Sequence, residues 1–328
     1  MSAGSPATGT PVVSVAMKTY QHAPYLEQAI RSVLDQSFTG FELLVTDDGS
    51  TDATPEIVRR FGDERIRYDR WTTNRGVAAA MNATVGRARG EFVAILNSDD
   101  YALPGRLQWQ VAYLRAHPDV AAVFGVPLQV GESGEPVGGL GAIFDRPFTD
   151  PDAPRQAWLR RLFFDGNSLC APTAMVRRTA WEAIGPDDVR LAHLADLDRW
   201  IRLLEAHEIR LVDQRFTAFR IRANDANAGA PRRDTRLRGA FESFEIFKRY
   251  RTFDADFLRE IFAEDVAREA LAPGLSASAL LGEIALTGSQ AWHPLFALDT
   301  LFGATRDYAR FRELTGRVDA FHIAGDAR

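Results

Sequence analysis

The chain has 328 residues, enough for one large domain or for one domain with an appendage. Hydrophobic residues make up 46% and charged residues 25%, as in ordinary globular proteins, and the formal net charge is −5. This charge argues against a general nucleic-acid binder, because such binding needs Lys and Arg to neutralise phosphates. A single cysteine, Cys170, excludes an intrachain disulfide and a cysteine-rich zinc site.

The sequence offers no membrane or export signal that we can recognise. No apolar stretch approaches the ~20 residues that a membrane span requires. Residues 1–10 are small and polar without an apolar centre, which predicts a flexible tail and not a signal peptide. These features together predict a cytoplasmic protein.

The first part of the chain alternates strand patterns with helix patterns. Short apolar runs are typical of buried strands, whereas apolar residues three and four positions apart indicate helices. This alternation predicts an α/β fold with a mostly parallel sheet that is covered by helices on both faces. The predicted strands are 12–17, 41–46, 66–69, 91–96 and 120–130, and the predicted helices are 26–34, 55–61 with Asp52 as N-cap, 76–88 and 106–116.

The pattern changes after Gly131. Residues 131–154 are rich in Gly, Pro and Asp, which predicts a long loop over the carboxyl edge of the sheet. From about Thr235 the pattern is mostly helical. Between these two points the predicted helices are 157–164, 173–184 and 197–204, and the predicted strands are 209–213 and 217–222. The predicted parts of the chain are a tail (1–10), an α/β domain (11–230) and a helical C-terminal region (231–328).

Two acidic clusters each follow an apolar strand. Asp47 and Asp48 come after the second predicted strand, and Asp99 and Asp100 come after the fourth. Ligands bind at the carboxyl ends of strands in open α/β sheets, so we expect both clusters to face one crevice. Two unit charges ~4 Å apart repel by roughly 1 kcal/mol in water, and a hard cation or a set of donors removes that penalty. The sequence therefore predicts a site for a metal ion and a polar, phosphate-rich group.

Three motifs occur in an order that resembles a known family. They are VSVAMKTYQHAPYLEQAIRSVLDQSFTGFELLVTDDGSTD, NRGVAAAMNATVGRARGEFVAILNSDD and DLDRWIRLL, within residues 12–222. Together they resemble the family 2 glycosyltransferases, which have the GT-A fold: a Rossmann-like, mostly parallel sheet flanked by helices. The resemblance implies an inverting transferase that moves a sugar from a nucleoside diphosphate donor of the UDP, GDP or TDP type to an acceptor hydroxyl. It also implies a divalent metal, Mn²⁺ or Mg²⁺.

The resemblance assigns roles to the residues of the nucleotide pocket. Thr19 and Tyr20, at the end of the first strand, would line this pocket. Asp48 would accept a hydrogen bond from an N–H group of the base, and Asp47 would support the turn. Arg75 would lie near the nucleotide or its phosphates.

The resemblance also assigns the residues around the diphosphate. Asp99 would contact the ribose or the metal, and Asp100 would be the principal metal ligand. Asn97 stands where the family usually has an Asp. Arg222 stands where many relatives place a histidine. Since arginine cannot ligate a cation but its planar fork suits a phosphate, we expect Arg222 to act as a diphosphate clamp.

Asp196 matches the position of the family's catalytic carboxylate. Displacement with inversion needs a base that takes the proton of the acceptor hydroxyl. The usual neighbouring Glu is replaced by Ala195, and Asp198 is the reserve candidate for the base.

Simpler explanations exist for several of these residues. The segment 47–52 on its own is equally typical of a turn followed by a helix cap, and Asp196 at a predicted helix start is typical of a capping residue. His22, His193 and His207 are expected to be ordinary surface or loop histidines. Asn97, Ala195 and Arg222 leave open a catalytically inactive module that binds nucleotide sugars. A sugar nucleotidyltransferase is less favoured, because KTYQHAPYL after the first strand is not a Gly-rich, basic loop.

The C-terminal helices are amphipathic, with phenylalanines on their apolar faces. We expect them to pack on the catalytic domain or to form a homo-oligomer. A peripheral position at the inner face of the membrane, toward a lipid-linked acceptor, is the alternative, since Lys248, Arg249 and Arg251 flank one apolar face. Polysaccharide, O-antigen and other glycoconjugate acceptors all remain open.

Overall fold

The computed structural model describes residues 9–137, 148, 151–222, 233–269, 271 and 274–306. The chain divides into two compact units, of which the first comprises residues 1–155 and 167–232 and the second comprises residues 156–166 and 233–328. The helix over 157–164, which we assigned to the α/β domain, therefore groups with the C-terminal helices. The domain boundaries themselves stay a prediction. Residues 1–8 of the predicted tail, and residues 138–147, 149 and 150 of the predicted loop, lie outside the described residues.

The first unit contains two sheets. Its larger sheet has seven strands in the order β3-β2-β1-β4-β8-β6-β9, parallel except for β8, and its smaller sheet has the order β5-β10-β7. This mostly parallel sheet with flanking helices confirms the predicted fold class. The strands are β1 Val13–Thr19, β2 Phe41–Asp47, β3 Ile66–Arg70, β4 Phe92–Ile95, β5 Tyr101–Ala102, β6 Val120–Gly125, β7 Leu128–Val130, β8 Met175–Arg177, β9 Glu208–Val212 and β10 Thr217–Arg220.

The helices of the first unit cover this sheet. Helix α1, for example, buries its Leu and Ile stripe, and the strands it faces are buried along nearly their whole length, as expected for a parallel sheet covered on both faces. Its helices are α1 Ala23–Leu34, α2 Thr54–Phe61, α3 Val77–Val85, α4 Arg106–Ala116, α6 Arg178–Ile184 and α7 Ala195–Leu204.

The register of the parallel strands brings three loops to one edge of the sheet. Thr19 at the end of β1 pairs with Asp47 at the end of β2, and Ala16 of β1 pairs with Ile95 at the end of β4. The loops that follow β1, β2 and β4 therefore leave the sheet side by side. Both acidic clusters lie on these loops.

Three local predictions were wrong. Residues 173–184 form a 3₁₀ turn, strand β8 and helix α6 instead of one helix, because β8 fills an antiparallel position between β4 and β6. Residues 120–130 form β6 and β7, which belong to different sheets. The residue that caps α2 is Ala53, although the Asp52 carboxylate still accepts a hydrogen bond from the Thr54 N–H.

The second unit is helical and packs around one phenylalanine. The ring of Phe163 contacts several buried rings, which include those of Tyr250, Phe262 and Trp292. Among the described residues, none of the helices combines the length and apolar character needed to cross a membrane. The helices of this unit are α5 Arg155–Asp165, whose first residue belongs to the first unit, α8 Arg233–Phe247, α9 Ala255–Ile261, α10 Ala263–Arg268, α11 Ala277–Leu286 and α12 His293–Ala304, with a 3₁₀ helix over Lys248–Thr252.

A buried arginine at the start of α4 ties the site-bearing strands together. The guanidinium of Arg106 donates to the carbonyl oxygens of Ile95 (2.8 Å) and Ala174 (3.2 Å) and to the hydroxyl of Thr217 (2.9 Å). Its Nε donates to Gln110 (3.0 Å). Burial lowers the pKa of Arg106 to about 9, so the group is still charged at neutral pH. It thereby fixes the end of β4 against β10 and the segment before β8.

Replacing this arginine should destabilise the first unit. Arg106→Met keeps much of the volume but leaves buried acceptors on three segments without their donor. An unsatisfied buried polar group costs about 1–3 kcal/mol, so we expect a loss of at least about 2 kcal/mol in the free energy of unfolding, measured by urea denaturation. Arg115→Met on the same helix is the control, because Arg115 is exposed and forms a surface ion pair with Glu91. Equal stability of the two variants would contradict this account.

Candidate active site

A cavity of about 620 Å³ lies in the first unit, where the loops after β1, β2 and β4 converge. It brings together most of the residues that the sequence singled out. Thr19, Tyr20, Asp48, Asp99, Asp196 and Arg222 line it, whereas Asp47, Arg75 and Asp100 are absent from its described lining.

At one end of the cavity, Asp48 fixes the loop before α3. Its two carboxylate oxygens accept hydrogen bonds from the backbone N–H groups of Arg75 (2.6 Å) and Gly76 (2.9 Å). Its own N–H donates to the carbonyl of Thr19 (2.9 Å). The hydroxyl of Thr19 is buried and makes no hydrogen bond with any residue that the structure describes. Such a buried polar atom in a cavity wall points to a ligand as its partner.

Asp47 stabilises the turn that carries Asp48. Its carboxylate accepts hydrogen bonds from the Ser50 N–H (2.8 Å) and the Tyr68 hydroxyl (2.8 Å) and lies 3.7 Å from Arg70. Burial and the hydrogen bond to Asp47 raise the pKa of Tyr68. Asp47 is fully buried, so its contribution to the site is the shape of the loop that presents Asp48.

Arg75 and Tyr20 take different positions at this end. The guanidinium of Arg75 stacks over the ring of Trp71 at 4.5 Å. Only the backbone of Arg75 contacts Asp48. The ring of Tyr20 is exposed and lines the cavity.

The acidic loop after β4 presents one of its two carboxylates to the cavity. Asp99 lines the cavity. Asp100 is buried, and its oxygens accept hydrogen bonds from the Arg220 N–H (2.8 Å) and the Asn97 amide (3.0 Å). Burial, followed by the neighbouring charge of Asp99, raises the pKa of Asp100 well above its usual range. The geometry therefore favours Asp99 over Asp100, our expected principal ligand, as the carboxylate that a cation would meet.

His22 and Arg222 stand beside Asp99. Arg222 lies 3.7 Å from the Asp99 carboxylate, and its NH1 lies 3.0 Å from Nε2 of His22. Since a guanidinium can only donate, Nε2 must accept, and the ring proton is on Nδ1, which faces the Ser98 hydroxyl at 2.8 Å. Burial lowers the pKa of His22, the charge of Asp99 opposes this shift, and the charge of Arg222 adds to it. In this arrangement Nε2 of His22 accepts from Arg222 and helps to hold it in place.

The side chains that line the cavity can bind a metal ion only together with oxygen atoms of a bound ligand. Within the described residues, no group of three or more His, Cys, Asp or Glu side chains is arranged to hold a metal ion. Mg²⁺ is commonly bound by one or two carboxylates together with substrate phosphates and waters. Asp99 fits that kind of site, because its carboxylate faces an open cavity of sufficient size.

Lys18 lies at the cavity wall among the carboxylates. Its ammonium donates to the Asn97 side-chain oxygen at 3.0 Å. Burial lowers its pKa, and the charges of Asp99 and Asp196 act in the opposite direction. The Lys18 ammonium is therefore stabilised by two of the carboxylates that line the cavity, Asp99 and Asp196.

Asp196 is held by a side-chain amide. The Asn167 amide N–H₂ donates to one Asp196 oxygen at 3.0 Å, and the N–H of Leu197 donates to the other at 2.9 Å. The Leu169 N–H donates to the Asn167 side-chain oxygen, which fixes the orientation of the amide. Burial raises the pKa of Asp196. The N-cap residue of α7 is Leu194, but Asp196 lies in the first turn, where its carboxylate accepts from a backbone N–H as a capping side chain does. The capping interpretation therefore stays open beside the catalytic one.

Asp198 does not share this environment. Its carboxylate pairs with Arg202 at 2.8 Å one turn along α7, and it is absent from the described lining of the cavity. The reserve candidate for the base is therefore engaged elsewhere. Asp187 anchors the same helix through its ion pairs with Arg199 and Arg202, and Asn82 holds the Asp187 backbone through both its N–H and its carbonyl.

Sequence reasoning missed several cavity residues. His22 and His193 lie in loops, as expected, but both line the cavity, which we did not expect. A signal for His22 existed, because it lies within the polar segment directly after β1. Lys18 directly follows the predicted strand 12–17 and belongs to β1 in the structure, where we expected no site residue. Asn167 lies in a segment whose sequence gives no local indication of its contact with Asp196, so only the fold could reveal it.

Comparison of the sequence with known families identifies its class. The profile described as "Glycosyl transferase family 2" matches residues 14–185. The chain belongs to this family. It is 32% identical over 200 residues to the putative glycosyltransferase EpsE of Bacillus subtilis, a match that covers 60% of this chain and 67% of EpsE. It is 39% identical over 106 residues to the putative teichuronic acid biosynthesis glycosyltransferase TuaG of the same organism, covering 32% of this chain and 42% of TuaG.

Solved structures share the fold. TarS of S. aureus in complex with UDP matches with a TM-score of 0.56 and 19% identity, over 93% of this chain and 91% of that chain. The mannosyltransferase PcManGT from Pyrobaculum calidifontis, in complex with GDP-Man and Mn²⁺, matches with a TM-score of 0.54 and 20% identity, over 97% and 82% of the respective chains. The GT-A fold predicted from the sequence is thereby confirmed.

The contact between Asn167 and Asp196 makes a prediction about ionisation. A donor to a carboxylate favours its charged form, so Asn167→Ala should raise the pKa of Asp196 further. NMR titration of the Asp196 carboxyl carbon measures this shift. Asp198→Asn is the control and should leave the titration unchanged, because Asp198 pairs with Arg202. An unaltered or lower pKa in Asn167→Ala would show that the hydrogen bond does not form.

Proposed function

We propose that the chain transfers a sugar from a nucleoside diphosphate sugar to an acceptor hydroxyl, with inversion at the anomeric carbon. The observation that carries this proposal is the cavity itself. Asp48 lines it and can accept a hydrogen bond from a base N–H. Asp99 lines it as a carboxylate that has cationic and neutral donors beside it. Asp196 lines it as a separate carboxylate with a raised pKa. Family membership supports the reaction class.

The nucleotide would occupy the end of the cavity near Asp48. A base N–H would donate to Asp48, and the buried Thr19 hydroxyl would gain the partner that it lacks among the described residues. Asp47 would act through the turn, and Arg75 through its backbone. TarS was solved with UDP and PcManGT with GDP-Man, so both a pyrimidine and a purine donor are represented among proteins of this fold.

The diphosphate would lie between Asp99 and Arg222. The guanidinium of Arg222 would bind phosphate oxygens, and its hydrogen bond to His22 holds it in position. A divalent ion held by Asp99 and the donor phosphates would stabilise the negative charge of the leaving nucleoside diphosphate as a Lewis acid. Support for Mn²⁺ comes from PcManGT, whose complex contains it.

Asp196 would act as the base. Its raised pKa makes it a better proton acceptor than an ordinary aspartate, and its Asn167 contact orients the carboxylate. Attack by the deprotonating acceptor hydroxyl on the face of the sugar opposite the diphosphate gives inversion. The proton passes from the acceptor oxygen to an Asp196 oxygen as the acceptor oxygen bonds to the anomeric carbon. The bond from the anomeric carbon to the diphosphate oxygen breaks, and the nucleoside diphosphate leaves with the electron pair.

The acceptor is proposed from the relatives alone. TuaG is described as a putative teichuronic acid biosynthesis glycosyltransferase, which supports a glycan or a lipid-linked acceptor in polysaccharide biosynthesis. A cytoplasmic enzyme that acts at the inner face of the membrane would suit such an acceptor.

The metal assignment is testable by calorimetry with UDP or GDP in Mn²⁺ and in EDTA. Because Asp99 lines the cavity and Asp100 is absent from its described lining, Asp99→Asn should remove the metal-dependent part of nucleotide affinity, by about tenfold or more. Asp100→Asn should keep most of it, since Asn can still accept from the Arg220 N–H. In the absence of nucleotide, Mn²⁺ should bind weakly to the wild type. Loss of the metal effect in Asp100→Asn alone would restore Asp100 as the ligand.

The base assignment separates chemistry from binding. Asp196→Asn keeps the shape and a hydrogen bond but removes the basic carboxylate, so the transfer rate should fall by ~10²-fold or more while nucleotide affinity is unchanged. Because the folded state binds the Asp196 proton more tightly than the unfolded state, stability falls as pH rises from the ordinary Asp pKa through the raised one. The variant should therefore be as stable as the wild type, or more stable, at pH 7.

The assay uses purified donor and acceptor, NMR of the product's anomeric configuration, and thermal unfolding of both proteins. Asp198→Asn is the matched control and should retain near wild-type turnover. A fully active Asp196→Asn enzyme would place the base elsewhere, and absence of turnover in the wild type with every donor would favour the inactive binding module.

A further inference from the structure

Helix α8 in the second unit presents apolar side chains outward. Leu237 is 76% exposed and Phe241 is 62% exposed, and the two lie one turn apart on the same face. Thr235 and Glu242, which lie on the opposite face of the helix, are buried. A helix of a globular protein ordinarily buries its apolar stripe and exposes its polar one. Helix α8 does so at its end, where Ile246 and Phe247 are buried, but its first half exposes Leu237 and Phe241.

Helix α12, which contacts α8, also exposes apolar side chains. Leu295 is 65% exposed and Phe302 is 72% exposed, and residues seven apart share one face of a helix. The two helices meet where the rings of Phe244 and Phe296 approach edge to face at 6.3 Å. We call the exposed residues Leu237, Phe241, Leu295 and Phe302 the apolar face of the second unit.

Basic residues flank this apolar face. Arg233, Arg236 and Arg238 are exposed at the start of α8. Lys248, Arg249 and Arg251 follow its end. Asp234 lies beside the arginines at the start of α8 in the sequence. Of the described acidic side chains nearby, Glu245 pairs with Lys248, Asp299 pairs with Arg251, and Glu242 is buried. The combination of outward aromatic and aliphatic side chains with arginines beside them is typical of helices that lie in a lipid interface.

We propose that the apolar face docks on an anionic lipid surface. Leu237 and Phe241 enter the boundary between headgroups and acyl chains, and the arginines at the start of α8 contact lipid phosphates. This inference uses only the second unit and requires neither donor binding nor turnover. It can therefore fail while the proposed function stands, and the reverse is also true.

A second copy of the chain fits this surface less well. In a twofold dimer the same patch meets itself, which brings the arginines of both copies, and so like charges, into one interface. A stable interface also buries roughly 800 Å² on each partner, more than four side chains on two helices supply. An anionic lipid surface complements both features, since it offers negative charge and an apolar layer together.

Vesicle flotation of the full chain tests the proposal. The wild type should float with phosphatidylcholine vesicles that contain about 30% phosphatidylglycerol, and poorly with phosphatidylcholine alone. Leu237→Ser combined with Phe241→Ser should weaken binding by more than about tenfold. Arg236→Ser should weaken binding to anionic vesicles by about fivefold and reduce its salt dependence. Val189→Ser is the control, because Val189 is an apolar residue of the first unit that is 61% exposed.

A fluorescent probe distinguishes the other occupants. Cys170, the only cysteine of the chain, is buried, so Phe241→Cys can be labelled selectively with a polarity-sensitive dye. The proposal is supported if the dye reports a water-exposed environment in the protein alone and an apolar environment after anionic vesicles are added. If the dye reports an apolar environment without lipid and this signal grows with protein concentration, a second copy covers the apolar face. If the same signal does not depend on protein concentration, another part of this chain covers it. Either result, or wild-type flotation by the Leu237→Ser/Phe241→Ser protein, overturns the proposal.

Discussion

The cavity depends on two buried arginines that hold its loops against each other. Arg106 joins the end of β4 to β10 by hydrogen bonds to backbone and hydroxyl oxygens. Arg220 of β10 continues the connection, because its guanidinium donates to the Asp99 carbonyl and its N–H donates to Asp100. A buried guanidinium is tolerated only where its donors find acceptors, so each arginine fixes several segments at once. These hydrogen bonds therefore fix the position of the loop that carries Asp99 relative to β10, the strand that leads to Arg222.

Burial also shifts the pKa values of charged groups in and beside the cavity. Asp196 and Asp100 both have raised pKa values, and Lys18 has a lowered one, because each is withdrawn from water. Withdrawal disfavours the charged form of every one of them and so costs stability at neutral pH. Attraction between Lys18 and the carboxylates offsets part of this cost. A site of this kind is less stable than an apolar one but contains a carboxylate that accepts a proton readily.

The sequence predicted the layered fold, because the periodicity of apolar residues in strands can be read locally. It predicted that the two acidic loops converge, because ligand sites at the carboxyl ends of parallel strands are general to this kind of sheet. It failed for residues 173–184, where the helical spacing of apolar residues hid β8. That strand owes its position to the gap between β4 and β6, which is a property of the assembled sheet. It also could not separate the roles of Asp99 and Asp100. Adjacent residues point in different directions, and only the backbone of the loop decides which one meets the cavity.

The three departures from the family pattern each have a physical account in the structure. The Asn97 amide accepts from Lys18 and donates to Asp100, which an aspartate could not do without placing another negative charge beside Asp100. Ala195 is buried, and the neighbouring Asp196 is oriented by Asn167. Arg222 replaces a histidine, yet it is held by His22 from the opposite loop. Since each change is matched by a partner within hydrogen-bond distance or by burial, the departures favour an adapted transferase over a degraded one.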